Sequence, residues 1–422
     1  MHGSIYYRWR ISCVAQEIEL PEKLPEIIIK PSTAATNPQR TKLMMTNARF
    51  LQIHSLHGYS GVLLNRDDSG LSKRLIYGGV LRTRISSQCL KRHWRMDQGM
   101  HSLQSIDGVT AAIRSREIVT KRVIDPLGNF GIDPKVIELL NSTFQTIVYG
   151  DKGGSKKGRQ PLLLGEPEIN YLAGEVAKLA KQYPHDIKAA KEAVDRWKKD
   201  SKSNMKALRE CTKLPGGIAS ALFGRMVTSD PEANIDAAIH VAHSITVHAA
   251  ETEFDYFTVV DDLKELDEDA GASHIGESEL NSALFYGYVV VDRGMLLDNL
   301  GGDSQLARKV VSHLVKLIAT VSPGAKLGPT APYGYADWMM VEAGDWQPRS
   351  LCGAYREPCA AKVRDAVSRI NKHLSGIDEV YQTGELRRFF STDREVSCSG
   401  ATQISSLQSL ADWAGHMTAG HQ

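Results

Sequence analysis

Residues 69–96 read SGLSKRLIYGGVLRTRISSQCLKRHWRM. The window holds Lys73, Arg74, Arg82, Arg84, Lys91, Arg92 and Arg95 and no acidic residue. Across all 422 residues, 51 Lys+Arg nearly cancel 49 Asp+Glu, so this unopposed charge is a local feature. A helix is expected to start at Ser86, because serine is a favoured N-cap and no Gly or Pro follows until Gly99. At about 100° per residue, Ser87, Gln88, Lys91, Arg92 and Arg95 fall within an arc of roughly 140°. Cys89, Leu90, His93 and Trp94 lie opposite, where they can pack on a core. Lys91 and Arg95, one turn apart, repel by a few tenths of a kcal/mol, which an anion would offset. The free N–H groups at the helix start favour phosphate. Ser86 and Ser87 at the cap, with Arg82 and Arg84 just before it, extend the same surface. The pattern points to contact with a phosphate backbone. The plainer alternative is a solvated basic face without a ligand.

Outward from this window, Phe50 to Leu56 reads as a buried strand bounded by His57-Gly58. Asp68-Ser69-Gly70 and Gly78-Gly79 are turn signals. Apolar residues recur at helical spacing in 133–149 and 166–182, on either side of a basic glycine loop, 152–159. A third, highly charged helix is expected over 186–211. Ile239, Val241, Ile245 and Val247 alternate with period two, and Phe285 to Val291 is a second apolar strand. Residues 304–321 form an amphipathic helix. Strands flanking a helical insertion imply an α+β core rather than tandem domains. Residues 1–43, punctuated by four prolines, read as a poorly ordered extension, with Met44 or Met45 as an alternative start. Between Glu251 and Glu279 there are eleven acidic residues and one basic residue, Lys264.

The composition is ordinary for a globular protein, 42% hydrophobic and 24% charged, which excludes a disordered, collagen-like or coiled-coil chain. A net charge of +2 excludes a histone-like polycation. No apolar run reaches the roughly 18 residues of a membrane span, and no secretory signal is expected. Six cysteines without metal spacing suggest free thiols in a cytosolic protein. The adjacent Asp67 and Asp68 are the one candidate for holding a divalent cation; a turn in which Arg66 pairs with one of them is the alternative. His240, His243 and His248 occupy both faces of a strand-like segment, which is poor geometry for zinc. No G-x-S-x-G, H-E-x-x-H, Walker A or dinucleotide fingerprint occurs.

Taken together, NRDD at 65–68, GG at 78–79 and RTRISSQCLKR at 82–92 resemble the CasC family, the repeated backbone subunit of the type I-E CRISPR surveillance complex, Cascade. Further matches follow in order at Gly224-Arg225-Met226, Asp255-Tyr256-Phe257-Thr258, Val260-Asp261-Asp262-Leu263 and Pro323-Gly324-Ala325-Lys326. The resemblance implies a ferredoxin-like palm of the RNA-recognition-motif type over 44–95, 216–248 and 285–422. It also implies a helical fingers insertion at 96–215 and a thumb hairpin at 249–284. Copies would stack head to tail on guide RNA beside other Cascade subunits and present its bases to target DNA in the cytoplasm, with no catalysis, cofactor, metal or membrane. Asn65 and Arg66 would line the RNA path. Ser86, Ser87, Gln88, Lys91, Arg92 and Arg95 would grip phosphates, Arg225 and Met226 would lie by a kinked nucleotide, and Lys326 would touch the guide. Tyr256, Phe257 and Thr258 would belong to the thumb. The chain departs from the family pattern at Val80, at Leu327-Gly328-Pro329, in residues 1–43 and in the last sixty residues. Two rival expectations are a metal-dependent RNase using Asp67 and Asp68, and a single-strand RNA binder that does not oligomerise.

Overall fold

The computed structural model describes residues 48–155, 157–212, 214, 216–227, 229–259 and 274–419. The expected N-terminal extension, Val260 to Leu263 and the centre of the acidic segment lie outside the described residues.

Strand β1 (Phe50–Val62) is buried at every residue from Phe50 to Leu56, so both of its faces are covered. Leu51 and Ile53 point to one face; Gln52, His54 and Leu56 point to the other. After it come β2 (Arg74–Tyr77), β3 (Val80–Ile85) and helix α1 (Ser87–Met96). The β2–β3 turn is Gly78-Gly79, at φ +63° and +79°, the pairing that a tight two-residue hairpin requires. A Cβ on Gly78 would sit 1.6 Å from the Arg356 carbonyl oxygen, so only glycine fits there.

A helical module follows. It contains the ribbon β4 (Ala112–Ser115) and β5 (Leu162–Gly165) and helices α2 (Pro134–Tyr149), α3 (Glu166–Gln182), α4 (Ile187–Lys199) and α5 (Ser201–Glu210). Its own core runs from Ile118 to Ala233 and includes Val136, Phe144, Ile169, Val176 and Trp197. The single helix expected over 186–211 is two helices, because the chain breaks at Asp200, which serves as C-cap of α4 and N-cap of α5.

Helix α6 (Gly217–Phe223) returns the chain to the sheet. There the alternating segment forms two short strands, β6 (Ile239–Val241) and β7 (Ser244–Thr246), instead of one. Next come β8 (Glu253–Val259), the long β9 (His274–Asp292), α7 (Arg293–Asn299), α8 (Ser304–Thr320), the short α9 (Leu327–Thr330) and β10 (Ala336–Gly344). The chain closes with α10 (Val363–Tyr381), β11 (Leu386–Ser391), β12 (Thr402–Gln403) and α11 (Leu407–Ala419).

The main sheet runs β12-β11-β10-β1-β9-β7-β3-β2, and β6 and β8 also pair with β9. One face packs Leu51, Ile53, Val289, Val291 and Val341 against α8 and α11. The other packs Leu56, Tyr286, Trp338 and Met340 against α10 and residues 351–355. The fold is therefore α+β, with a large mixed sheet covered on both sides. Each buried leucine of α8, such as Leu314, stabilises it by about 2–5 kcal/mol relative to alanine. Among the described residues no helix is long and apolar enough to cross a membrane, and Cys89, Cys211, Cys352, Cys359 and Cys398 are free thiols.

Candidate nucleic-acid interface

Helix α1 starts where its sequence predicts. Ser86 is the N-cap, and its hydroxyl accepts from the Cys89 N–H at 3.3 Å. Asn65 Oδ1 accepts from the Ser86 N–H at 2.9 Å and so fixes the approach to the helix. Trp94 is buried in the sheet core and Leu90 packs beside it. That anchoring turns Gln88, Lys91, Arg92 and Arg95 toward a cleft of about 720 Å³. Ser86 and Ser87 are only 9% exposed, so their hydroxyls do not extend the open face as expected.

Arg114, on β4, faces the same cleft. Burial, together with the nearby Arg114 charge, lowers the pKa values of both Lys91 and Arg95. None of Lys91, Arg92, Arg95 and Arg114 pairs with a carboxylate among the described residues. Gln104 and apolar Ile113, Pro161 and Phe223 complete the walls. Four uncompensated cations around a cleft of this size suit a polyanion.

Two arginines expected to meet RNA, Arg82 before α1 and Arg225 by a kinked nucleotide, are buried. Arg82 is fully buried, donating to the carbonyls of Tyr77, Thr246 and Tyr355 at 3.3, 3.1 and 2.8 Å. Its charge is spread over those three carbonyl dipoles, so it holds the fold together. Arg225 is also buried; its guanidinium donates to Glu168 Oε1 at 2.6 Å and to the Ala233 carbonyl at 3.0 Å. Its neighbour Met226 projects outward, 75% exposed. Arg84 is half-buried and donates to His243 Nδ1 at 2.8 Å. Burial, with Arg84 and Lys73 nearby, lowers the His243 pKa.

Arg66 is exposed. Asp67 Oδ1 accepts from the Ser69 and Leu71 N–H groups, each at 3.0 Å, so this carboxylate builds the turn. His248 is occupied too: Nδ1 donates to the Ala249 carbonyl and Nε2 accepts from the Leu284 N–H. Lys326 lies next to the end of β1, through the Ala325 N–H on the Leu63 carbonyl at 2.9 Å. Its ammonium donates to Ser278 Oγ and sits 5.9 Å from the Phe257 ring. Those partners belong to the ribbon of β8 and the first half of β9, where Tyr256, Phe257 and Thr258 face Glu277, Gly276 and Ile275. Tyr256 and Phe257 are exposed on it.

Hydrogen bonds thus link Ala325, the neighbour of Lys326, to Leu63, and Asn65 to the start of α1. Phe223 on the cleft wall leads into Arg225 and Met226. Sequence reading missed Arg114 and Gln104. Arg114 is a lone arginine on a four-residue strand, and only the fold brings it to the cleft beside α1.

A family model described as CT1975-like protein matches residues 51–414. No curated protein matches the chain. Two of the solved structures that share its fold come from CRISPR complexes. One is a chain of a CRISPR RNA-guided surveillance complex, pre-nicking, with TM-score 0.72 and 23% identity, covering 87% of this chain and 100% of that one. The other, from a CRISPR RNA-guided surveillance complex, has TM-score 0.54 and 20% identity, covering 87% of this chain and 98% of that one.

Proposed function

The chain belongs to the CT1975-like protein family, and from that premise we propose that it is a non-catalytic backbone subunit of a CRISPR RNA-guided surveillance complex. In this reading it grips guide RNA by its phosphates and leaves the base edges free to pair with target DNA, so sequence choice is delegated to the guide. Copies assemble head to tail along the RNA beside the other subunits of a type I-E Cascade in the cytoplasm. The observation that carries the proposal is the cleft beside α1, with four cations and no carboxylate partner among the described residues. The fold shared with surveillance-complex chains supports it. The order β10-β1-β9-β7, with helices crossing between β1 and the β6–β7 segment and between β9 and β10, supports a ferredoxin-like palm.

The test is the salt dependence of RNA binding by the purified chain. Four phosphate contacts on single-stranded RNA give a log–log slope of about −2.8, or about fiftyfold weaker binding at about 200 mM than at about 50 mM salt. Lys91→Ala with Arg95→Ala should remove about 1.4 from that slope, equally for unrelated RNA sequences. Loss confined to one sequence would mean base readout and defeat the proposal. Binding that saturates without any dependence on RNA length would remove the head-to-tail part. The rival hydrolase reading would use Asp67 and Asp68, and Asp67 Oδ1 already accepts from two N–H groups of its turn. Regular cleavage of complementary RNA with magnesium or manganese, abolished by Asp68→Ala, would nonetheless restore it.

A further inference from the structure

The cleft beside α1 is walled by two separately packed parts of the fold. Lys91, Arg92 and Arg95 stand on α1, which Trp94 roots in the sheet core. Arg114 stands on β4, which pairs with β5 in the helical module. The two parts keep distinct hydrophobic cores. Like charges facing each other from two such bodies push them apart unless an anion lies between. Burial first, and then the Arg114 charge, lower the pKa values of Lys91 and Arg95.

We infer that Arg114 is the second jaw of a phosphate clamp, and that an RNA strand lying in the cleft ties the helical module to the sheet. The inference rests on the RNA-holding reading above and adds a residue and a mechanical role to it. The walls favour a phosphodiester strand over a compact anion. Ile113, Pro161 and Phe223 offer apolar surface to a ribose or base between the phosphates, while Gln88 and Gln104 supply neutral donors.

The experiment titrates labelled oligouridylate against the full chain and its Arg114→Gln and Lys91→Gln variants over a series of salt concentrations. Backbone hydrogen exchange is followed in parallel. Arg114 is exposed, so its variant should fold normally, which a thermal melt checks. Arg114→Gln should weaken binding about fivefold at about 100 mM salt and cut the slope by about 0.7, one phosphate contact. RNA should slow exchange in β4 and β5 of the wild type, and that protection should vanish in Arg114→Gln. If Lys91→Gln loses slope while Arg114→Gln matches the wild type, the clamp is wrong and the RNA-holding reading stands. A wild type that binds no RNA sinks that reading and the clamp with it. Equal protection of β4 and β5 by inorganic pyrophosphate would make the cleft a compact-anion site and overturn the strand clamp.

Discussion

Arg82 and Arg84 are two residues apart on β3 and have opposite fates. Arg82 is held by carbonyls from residues 77, 246 and 355, two of them distant in the chain; Arg84 stays half-exposed against His243. Charge counting cannot separate them, because the partners that bury Arg82 are assembled only by the fold. Arg225 hid for the same reason: its carboxylate, Glu168, lies 57 positions upstream. Glu168 also accepts from the Gly165 and Gly216 N–H groups at 2.8 and 2.7 Å, so one carboxylate joins the helical module to the returning chain. Arg225→Ala strands that charge and should cost about 3–5 kcal/mol in chemical denaturation. Met226→Ala, at an exposed site, should stay within about 0.5 kcal/mol. Equal losses at the two positions would contradict this assignment of roles.

At the scale of elements, helix starts and apolar periodicity were legible. The cap at Ser86 and the helices at 134–149, 166–182 and 304–320 follow from local residue patterns. The break at Asp200 was not legible, since the charged residues on either side continue a helical pattern. Three of the four cleft cations could be read from α1 alone; the fourth, Arg114, reaches the cleft only through the fold. Because α1 carries its repulsion unrelieved in the free protein, Lys91→Ala with Arg95→Ala should raise thermal stability slightly, by a few tenths of a kcal/mol, while weakening RNA binding. Ser86→Ala should do the reverse, costing about 1 kcal/mol of stability while leaving the salt slope of binding intact. Its hydroxyl is already given to the Cys89 N–H.

At the scale of the whole molecule, the second face of the sheet carries a buried ionic network. Glu342 accepts from His54 at 2.9 Å and from Arg349 at 2.8 Å, and Arg387 bridges Glu342 and Asp378. Glu385 lies 2.7 Å from Arg349. Burial lowers the His54 pKa, so three carboxylates face two guanidiniums and balance comes when one of them holds a proton. Burial and the neighbouring Glu342 charge raise the Glu385 pKa from 4.5 to about 7. The folded state therefore takes up that proton before the unfolded state does. Its stabilisation is complete below about 4.5 and is lost as pH rises through about 7. Glu385→Gln should match the wild type at acidic pH and exceed its stability at alkaline pH by on the order of 1–3 kcal/mol, read from paired thermal melts. A constant difference across pH would refute the assignment.

The terminal strands of the main sheet, β2 and β12, are only four and two residues long. A border that short gives a neighbour almost nothing to zip onto. A string of copies would then not be woven through either of those strands; the exposed seven-residue β8, on its arm, and surface charge are left to join one bead to the next. Such a string should come apart in strong brine, with light scattering falling while circular dichroism stays put.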